Sequence, residues 1–383
     1  VAGTVKGKGV SFTEGKDNWH GKPFKKGEEL DRALAELEGQ FVPQAEGIDL
    51  AASIARPASR PEPPAPPSPL KPPTYALGDL VATREAYGAA LAKLGASDSR
   101  IVVLDADVKN STFSDKFERV FPDRFFQNFI AEQVMVGSAM GLAARGAIPF
   151  PSTFAAFLTR AADFVRMMAI SNVNVKLSGS HAGVSIGEDG PSQMALEDLC
   201  MFRAQPNFAV VYPCDAVSTE RLVAAMAAHP GPVYMRTSRP KTPVIYKKGE
   251  TFEIGGLKVL RKSGNDVATV VGAGVTVFEA LKAYDELKAA GIAIRVIDLY
   301  SLAPIDKAGL IAAATKTKKR IITVEDHYAA GGIGDAVSEA VSEAGIRVHR
   351  IAVREIPRSG KPDELLDRFG ISASHIVAAV KAL

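Results

Sequence analysis

The chain has 383 residues, 46% hydrophobic and 23% charged, which suits two or three ordinary globular domains. Its net charge of +3 excludes a dominant nucleic-acid or membrane-surface partner but leaves room for local basic sites that hold phosphates. Two cysteines, Cys200 and Cys214, are too few for a disulfide framework and point to a reducing, cytoplasmic compartment, and no apolar run reaches membrane-spanning length.

Val1-Ala-Gly-Thr-Val5 reads as the closing strand of an element already under way, so the chain is expected to be a fragment or one half of a split protein. Residues 1–24 are a strand and loop rich in Gly and Lys. A short amphipathic helix is expected over 28–38, followed by an irregular stretch. Residues 57–73 hold nine of the 24 prolines, a density that forbids helix and favours an extended, semi-rigid linker.

Beyond the linker, helices and strands alternate. Helices are expected over 83–94 and 218–228, and apolar strands over 101–107, 173–178, 208–212 and 233–236. Strands without polar alternation, separated by helices, indicate a parallel sheet covered on both faces. A second unit of the same kind follows a polar break at 247–251. Its strands are expected over 267–271, 294–298, 320–325 and 348–353, and its helices over 276–290, 307–315, 334–344 and 373–381.

Several segments carry candidate chemistry. Glu132 opens a helix of small apolar residues through Gly146, which reads as buried, and a carboxylate withdrawn from water can hold or share a proton. Alone, such an acid more often complements the helix dipole. Gly272-Ala-Gly274 lacks the third glycine of a dinucleotide fingerprint, because Val277 stands there, and reads as a tight turn. Gly331-Gly-Ile-Gly334 reads the same way, with an anion on its free N–H groups as the alternative. Arg84 sits early in a helix and Ser111 just past a strand, where ligands of open α/β sheets bind; the planar fork of an arginine suits phosphate. Arg236 and Arg239 also follow a strand. The glycine-rich run from Gly179 to Gln193 buries little and surrounds His181 and Asp189, the composition of a binding loop. Phe154 and Phe157, three apart on an expected helix, share a face; that face is either core or a platform for an aromatic ring.

Taken together these segments resemble the thiamine-diphosphate-dependent transketolase family, in its animal-type branch. The matching stretches are Ala82-Thr-Arg-Glu-Ala-Tyr-Gly88, Lys109-Asn-Ser-Thr-Phe-Ser114, Phe129-Ile-Ala-Glu-Gln133, Ser152-Thr-Phe-Ala-Ala-Phe157, Ser178-Gly-Ser-His181, Gly187 to Asp198, Arg236-Thr-Ser-Arg-Pro240 and Val324-Glu-Asp-His327. Val5-Lys-Gly-Lys-Gly9 and Asn18-Trp-His-Gly-Lys-Pro23 resemble the end of the family's first domain, and the resemblance covers essentially the whole chain.

The resemblance implies an α/β fold of two consecutive three-layer domains with mostly parallel sheets. Residues 1–24 would be the tail of a diphosphate-binding domain and 25–73 a linker. Residues 74–246 would form the pyrimidine-binding domain and 247–383 the C-terminal domain. The first domain's Gly-Asp-Gly motif occurs nowhere in the chain. The Mg2+ or Ca2+ and the diphosphate are therefore expected on a polypeptide or section carrying that domain, with no metal ligand here. Further implied are a homodimer or a dimer of split chains, sugar-phosphate substrates, and transfer of a two-carbon unit between them. Glu132 would contact N1′ of the cofactor's pyrimidine, Phe157 would stack on that ring with Phe154 beside it, and Gln193 would lie close by. Arg84, Ser111 and Arg239 would hold the sugar phosphate, with Arg236 a further candidate. His181 and Asp189 would contact donor hydroxyls, His20 would assist proton transfer, and Lys6 and Lys22 would lie near the diphosphate or the substrate entrance. The competing expectations are a non-catalytic or split subunit, and a related thiamine enzyme such as dihydroxyacetone synthase or deoxyxylulose-phosphate synthase.

Overall fold

The computed structural model describes residues 5–17, 19, 22–41 and 67–383. It divides into two units, Val1–Pro63 and Pro64–Leu383. In the first, the helix Glu28–Glu38 occupies the expected span. Glu36 accepts from the Ser11 backbone at 2.6 Å, and Gln40 donates to the Gly9 carbonyl at 2.6 Å. Phe12, Trp19 and Phe24 pack edge-on with centroids 5.6–5.9 Å apart. Most of the proline-rich stretch lies outside the described residues, and its described end, 67–73, has no regular structure.

The second unit holds two sheets. The strands of the first are β2 (Ile101–Asp105), β3 (Phe125–Gln127), β4 (Ile148–Phe154), β5 (Lys176–Ser180), β6 (Ala209–Val211), β7 (Val233–Arg236) and β12 (Ser301–Ala303). Their order is β12-β6-β7-β5-β4-β2-β3, parallel apart from β12. β1 (Leu80–Ala82) and β8 (Lys241–Pro243) form a separate antiparallel pair. The second sheet contains β9 (Lys258–Arg261), β10 (Thr269–Gly272), β11 (Arg295–Asp298), β13 (Arg320–Tyr328) and β14 (Arg347–Val353), ordered β14-β13-β10-β11-β9 and parallel apart from edge strand β9. The fold is thus α/β with mostly parallel sheets. The apolar runs Ile101–Leu104 and Thr269–Val271 are buried almost without a break, as strands covered on both faces must be.

Three features depart from expectation. β4 was not expected as a strand, since the segment around Phe154 and Phe157 suggested helix. Pro149 and Pro151 stand two apart in it, opposite Val102 and Leu104 of β2, so both missing N–H groups face the same side and the intervening residues still pair. β12 comes from the second half of the chain yet closes the edge of the first sheet. The helix Glu132–Ala144, expected to be buried, buries Met135, Val136 and Ala139 but leaves Val134 59% exposed.

The two glycine motifs are turns. Gly274 has φ 56° and lies so close to the Tyr212 ring that a Cβ would collide with it. The helix opened by Gly331–Gly334 receives its anion from within the chain: the buried Glu325 carboxylate accepts from Ile333 N–H and, at 3.0 Å, from Gly334 N–H.

Candidate active site

The carboxyl ends of β2, β3, β4, β5 and β7 lie along one edge of the first sheet, and each delivers a candidate residue. This is where open parallel sheets bind ligands. β3 runs into Asn128–Ala131 and then into Glu132, the first residue of its helix. Glu132 is only 2% exposed. Arg160 Nη1 lies 3.2 Å from its Oε2, from a side chain 49% exposed, but off hydrogen-bonding alignment. Among the described residues, Oε2 is therefore buried with no aligned hydrogen-bond donor, a condition native carboxylates rarely tolerate.

β4 ends at Phe154 and continues into a 3-10 helix, Ala155–Ala161, that carries Phe157 and Arg160. Residues three apart eclipse in a 3-10 turn, so the two rings stack with centroids 5.1 Å apart although the segment is not an α-helix. On its other side Phe154 stacks on His181 at 3.9 Å. The result is a column of three rings, with Phe154 between Phe157 and His181, on the segment whose Arg160 faces the buried carboxylate.

His181 follows β5 with φ 57°, and its Nδ1 lies 2.7 Å from the Ser180 hydroxyl. Burial, aided by the charges of Arg84 and Arg239, presses its pKa down to about 3. The imidazole is thus neutral at physiological pH, one nitrogen donating and the other accepting.

Arg84, Arg239 and Glu188 line a cavity of about 240 Å³ together with Phe113, Lys241 and Pro362. Arg84 donates to the Ser111 carbonyl at 2.7 Å, while its buried Nε finds no partner among the described residues. Burial and the neighbouring Arg239 lower its pKa. Arg239 donates to the Ile186 carbonyl at 2.7 Å and reaches Asp189 at 3.4 Å and Glu188 at 3.6 Å. Two guanidiniums and a lysine outnumber the carboxylates of Glu85 and Glu188 in this lining, a net positive balance that favours an anion. Asp105, at the end of β2, fixes the loop that bears Ser111: it accepts from Val108 N–H and from the Thr112 and Ser114 hydroxyls at 2.7–2.8 Å. Burial pushes its pKa up to about 6.

Arg236 is not brought to this cavity. It is fully buried, pairs with Asp198 at 2.9 Å, and donates to the carbonyls of Ala195 and Asp326. Its charge is neutralised inside the protein. Gln193 is half-buried on the Gly190–Met194 turn, with its side-chain oxygen accepting from Ser192. Lys6 and Lys22 belong to the first unit, where Lys22 lies 4.4 Å from the Trp19 ring centre; His20 lies outside the described residues. Among the described residues, no group of three His, Cys, Asp or Glu side chains is arranged to hold a metal ion, and no helix is long and apolar enough to cross a membrane. The supporting acids Asp105, Asp198 and Asp326 were missed as site residues; the signal available was an apolar strand ending in acids, as in Leu104-Asp-Ala-Asp107.

Residues 79–244 match the family model of the transketolase pyrimidine binding domain, and residues 255–376 that of the transketolase C-terminal domain. The chain is 53% identical over 394 residues to Transketolase-like protein 1 of Bos taurus, aligning over its whole length with 64% of that protein. It is 50% identical over 388 residues to Transketolase of Mus musculus, again over its whole length and 61% of the relative. The chain thus spans less than two thirds of these relatives. A solved structure described as a split gene transketolase in an inactive beta4 tetramer superposes with a TM-score of 0.73 at 42% identity, covering 79% of this chain and 98% of that one.

Proposed function

This chain belongs to the transketolase family, and on that footing we propose that it supplies the pyrimidine-binding half of an enzyme that moves a two-carbon glycolaldehyde unit from a ketose phosphate to an aldose phosphate. Thiamine diphosphate, when bound, supplies the nucleophilic carbon and the electron sink for that transfer.

One observation carries this reading: among the described residues the buried Glu132 Oε2 has an ion-pair neighbour, Arg160, but no aligned hydrogen-bond donor. A protonated ring nitrogen of an aminopyrimidine would satisfy it, and the outer face of Phe157, at the end of the Phe157–Phe154–His181 stack, offers that ring a flat neighbour. The residues present therefore fit the pyrimidine end of the cofactor. Glu132 holds the shared proton at N1′, Phe157 stacks on the ring, and Gln193 closes the pocket beside it. Arg84 and Arg239 hold the sugar phosphate, with the Ser111 carbonyl fixing Arg84. His181, neutral, exchanges hydrogen bonds with substrate hydroxyls, and Asp189 accepts from them. His20 assists proton transfer at the substrate, and Lys6 and Lys22 stand near the diphosphate. In this reading 74–246 is the pyrimidine-binding domain and 247–383 the C-terminal domain.

The diphosphate and its Mg2+ or Ca2+ fall to a diphosphate-binding domain, whose Gly-Asp-Gly motif this sequence lacks. The surface next to Glu132 supports a partner there: Phe129 and Ile130 are 68% and 67% exposed and adjoin Val134. The inactivity ascribed to the split-gene relative favours a second statement, that this chain alone does not turn over. The test is transfer from xylulose 5-phosphate to ribose 5-phosphate by this chain complemented with a diphosphate-binding domain. Sedoheptulose 7-phosphate from the complemented assembly and none from the chain alone is expected; none from either overturns the proposal.

A further inference from the structure

β13, in the second sheet, carries a carboxylate that lies directly under the first sheet's binding loop. Asp326 is fully buried. Its Oδ1 accepts from Val184 N–H at 2.6 Å and its Oδ2 from Ser185 N–H at 3.2 Å. Gly183 comes so close, at φ 89°, that a Cβ would collide with the carboxylate. These N–H groups open the 3-10 turn Val184–Ile186. Two positions before Gly183 is His181. At the turn's far end, the Ile186 carbonyl receives Arg239. The side chains of Val184 and Ile186 sink into the second sheet's core with Ile322, Val324 and Leu365. The Asp326 backbone is itself pinned, its carbonyl accepting from Arg236 at 2.8 Å.

We infer that Asp326 is a positioning residue for sugar-phosphate recognition: from the C-terminal half it sets the turn that orients His181 on one side and Arg239 on the other. The inference rests on the reading of Arg84 and Arg239 as the phosphate site. The physical basis is the pair of charge-assisted hydrogen bonds, which fixes two successive peptide planes in a segment whose glycines would otherwise leave it loose. Asp326→Asn keeps the volume and one acceptor but turns an amide N–H toward the other backbone donor. One buried N–H is then left unpaired and the turn must shift.

The experiment is calorimetric titration of ribose 5-phosphate into the full chain, as wild type, Arg239→Ala and Asp326→Asn, with thermal melts alongside. In the complemented enzyme the KM for phosphorylated substrates is read against kcat. Asp326→Asn is expected to weaken ribose 5-phosphate binding roughly tenfold and to raise KM while largely keeping kcat; a merely structural role would lower the melting temperature alone. Loss of binding in Arg239→Ala with wild-type binding in Asp326→Asn overturns this inference and leaves the phosphate site standing. No binding by the wild type, or equal binding by wild type and Arg239→Ala, overturns the phosphate site and this inference with it. Should Asp326→Asn not fold, Gly183→Ala crowds the same contact from the other side, and wild-type affinity there overturns the inference equally.

Discussion

Glu132 shows how much a single side chain's surroundings decide. At the first position of a helix an acid usually faces water and gains a few tenths of a kcal/mol from the dipole. Here it is buried, with Arg160 3.2 Å from Oε2 but no aligned hydrogen-bond donor among the described residues. Glu132→Gln in the complemented enzyme should lower turnover by ~100-fold or more, the scale of a lost proton-holding group, with circular dichroism unchanged; near-normal turnover would remove the central claim. Arg84 stood out in the sequence as an arginine early in a helix and Arg239 as one just past a strand, and the fold brings both to one cavity. The internal pairing of Arg236 was not legible, because its partner Asp198 lies 38 positions away and only folding brings the neutralising charge to it. His181 was legible as a loop histidine, but its neutrality comes from burial and from arginines distant in sequence.

Elements were legible where periodicity was strong. The amphipathic helix Glu28–Glu38 and the apolar strands β2, β11 and β13 lie within or over their expected spans, and β10 overlaps its own, ending one residue later. β4 was not legible because its prolines argue locally against a strand, and their tolerance depends on which neighbour each missing N–H faces. Close approaches between elements are equally invisible. A Cβ on Gly88 would collide with the Phe113 backbone, so the helix Thr83–Ser97 meets the loop bearing Ser111 at a glycine. Gly88→Ala should cost about 1–3 kcal/mol by overpacking, seen as a lower melting temperature. It should also raise KM for phosphorylated substrates, because Arg84 and the Ser111 carbonyl would be moved apart; an unchanged KM would separate the packing effect from the site. Gly137 plays the same part between neighbouring helices, where a Cβ would stand only 2.9 Å from the Phe164 ring.

At the scale of the whole molecule the two sheets of the second unit are tied by buried polar links as well as by core. Asp298, ending β11, accepts from the Tyr246 hydroxyl at 2.7 Å and from Cys214 Sγ at 3.2 Å. Burial pushes its pKa from 3.8 up to about 7. Its contribution to stability is complete below about pH 3.8 and is lost as pH rises through about 7, since the folded state holds the extra proton in between. Asp298→Asn lacks that loss. Relative to wild type it should gain stability between pH 5 and pH 8, on the order of 1 kcal/mol per pH unit across the window. Thermal melts at the two pH values check this, and an equal difference at both would count against it. The exposed Phe129, Ile130 and Val134 should mediate assembly: Ile130→Lys with Val134→Lys should weaken association with the complementing domain by about 2 kcal/mol or more, read by sedimentation, while leaving the chain's own melting temperature nearly unchanged. By itself the sequence determined the α/β class and the family resemblance, because periodicity and motif spacing are local properties. Only the tertiary structure decided that Glu132 lacks an aligned donor among the described residues, that Arg236 is spent internally, that β12 completes the other half's sheet, and that Asp326 lies beneath the His181 loop. Each of these depends on burial and on charges brought together from distant parts of the chain.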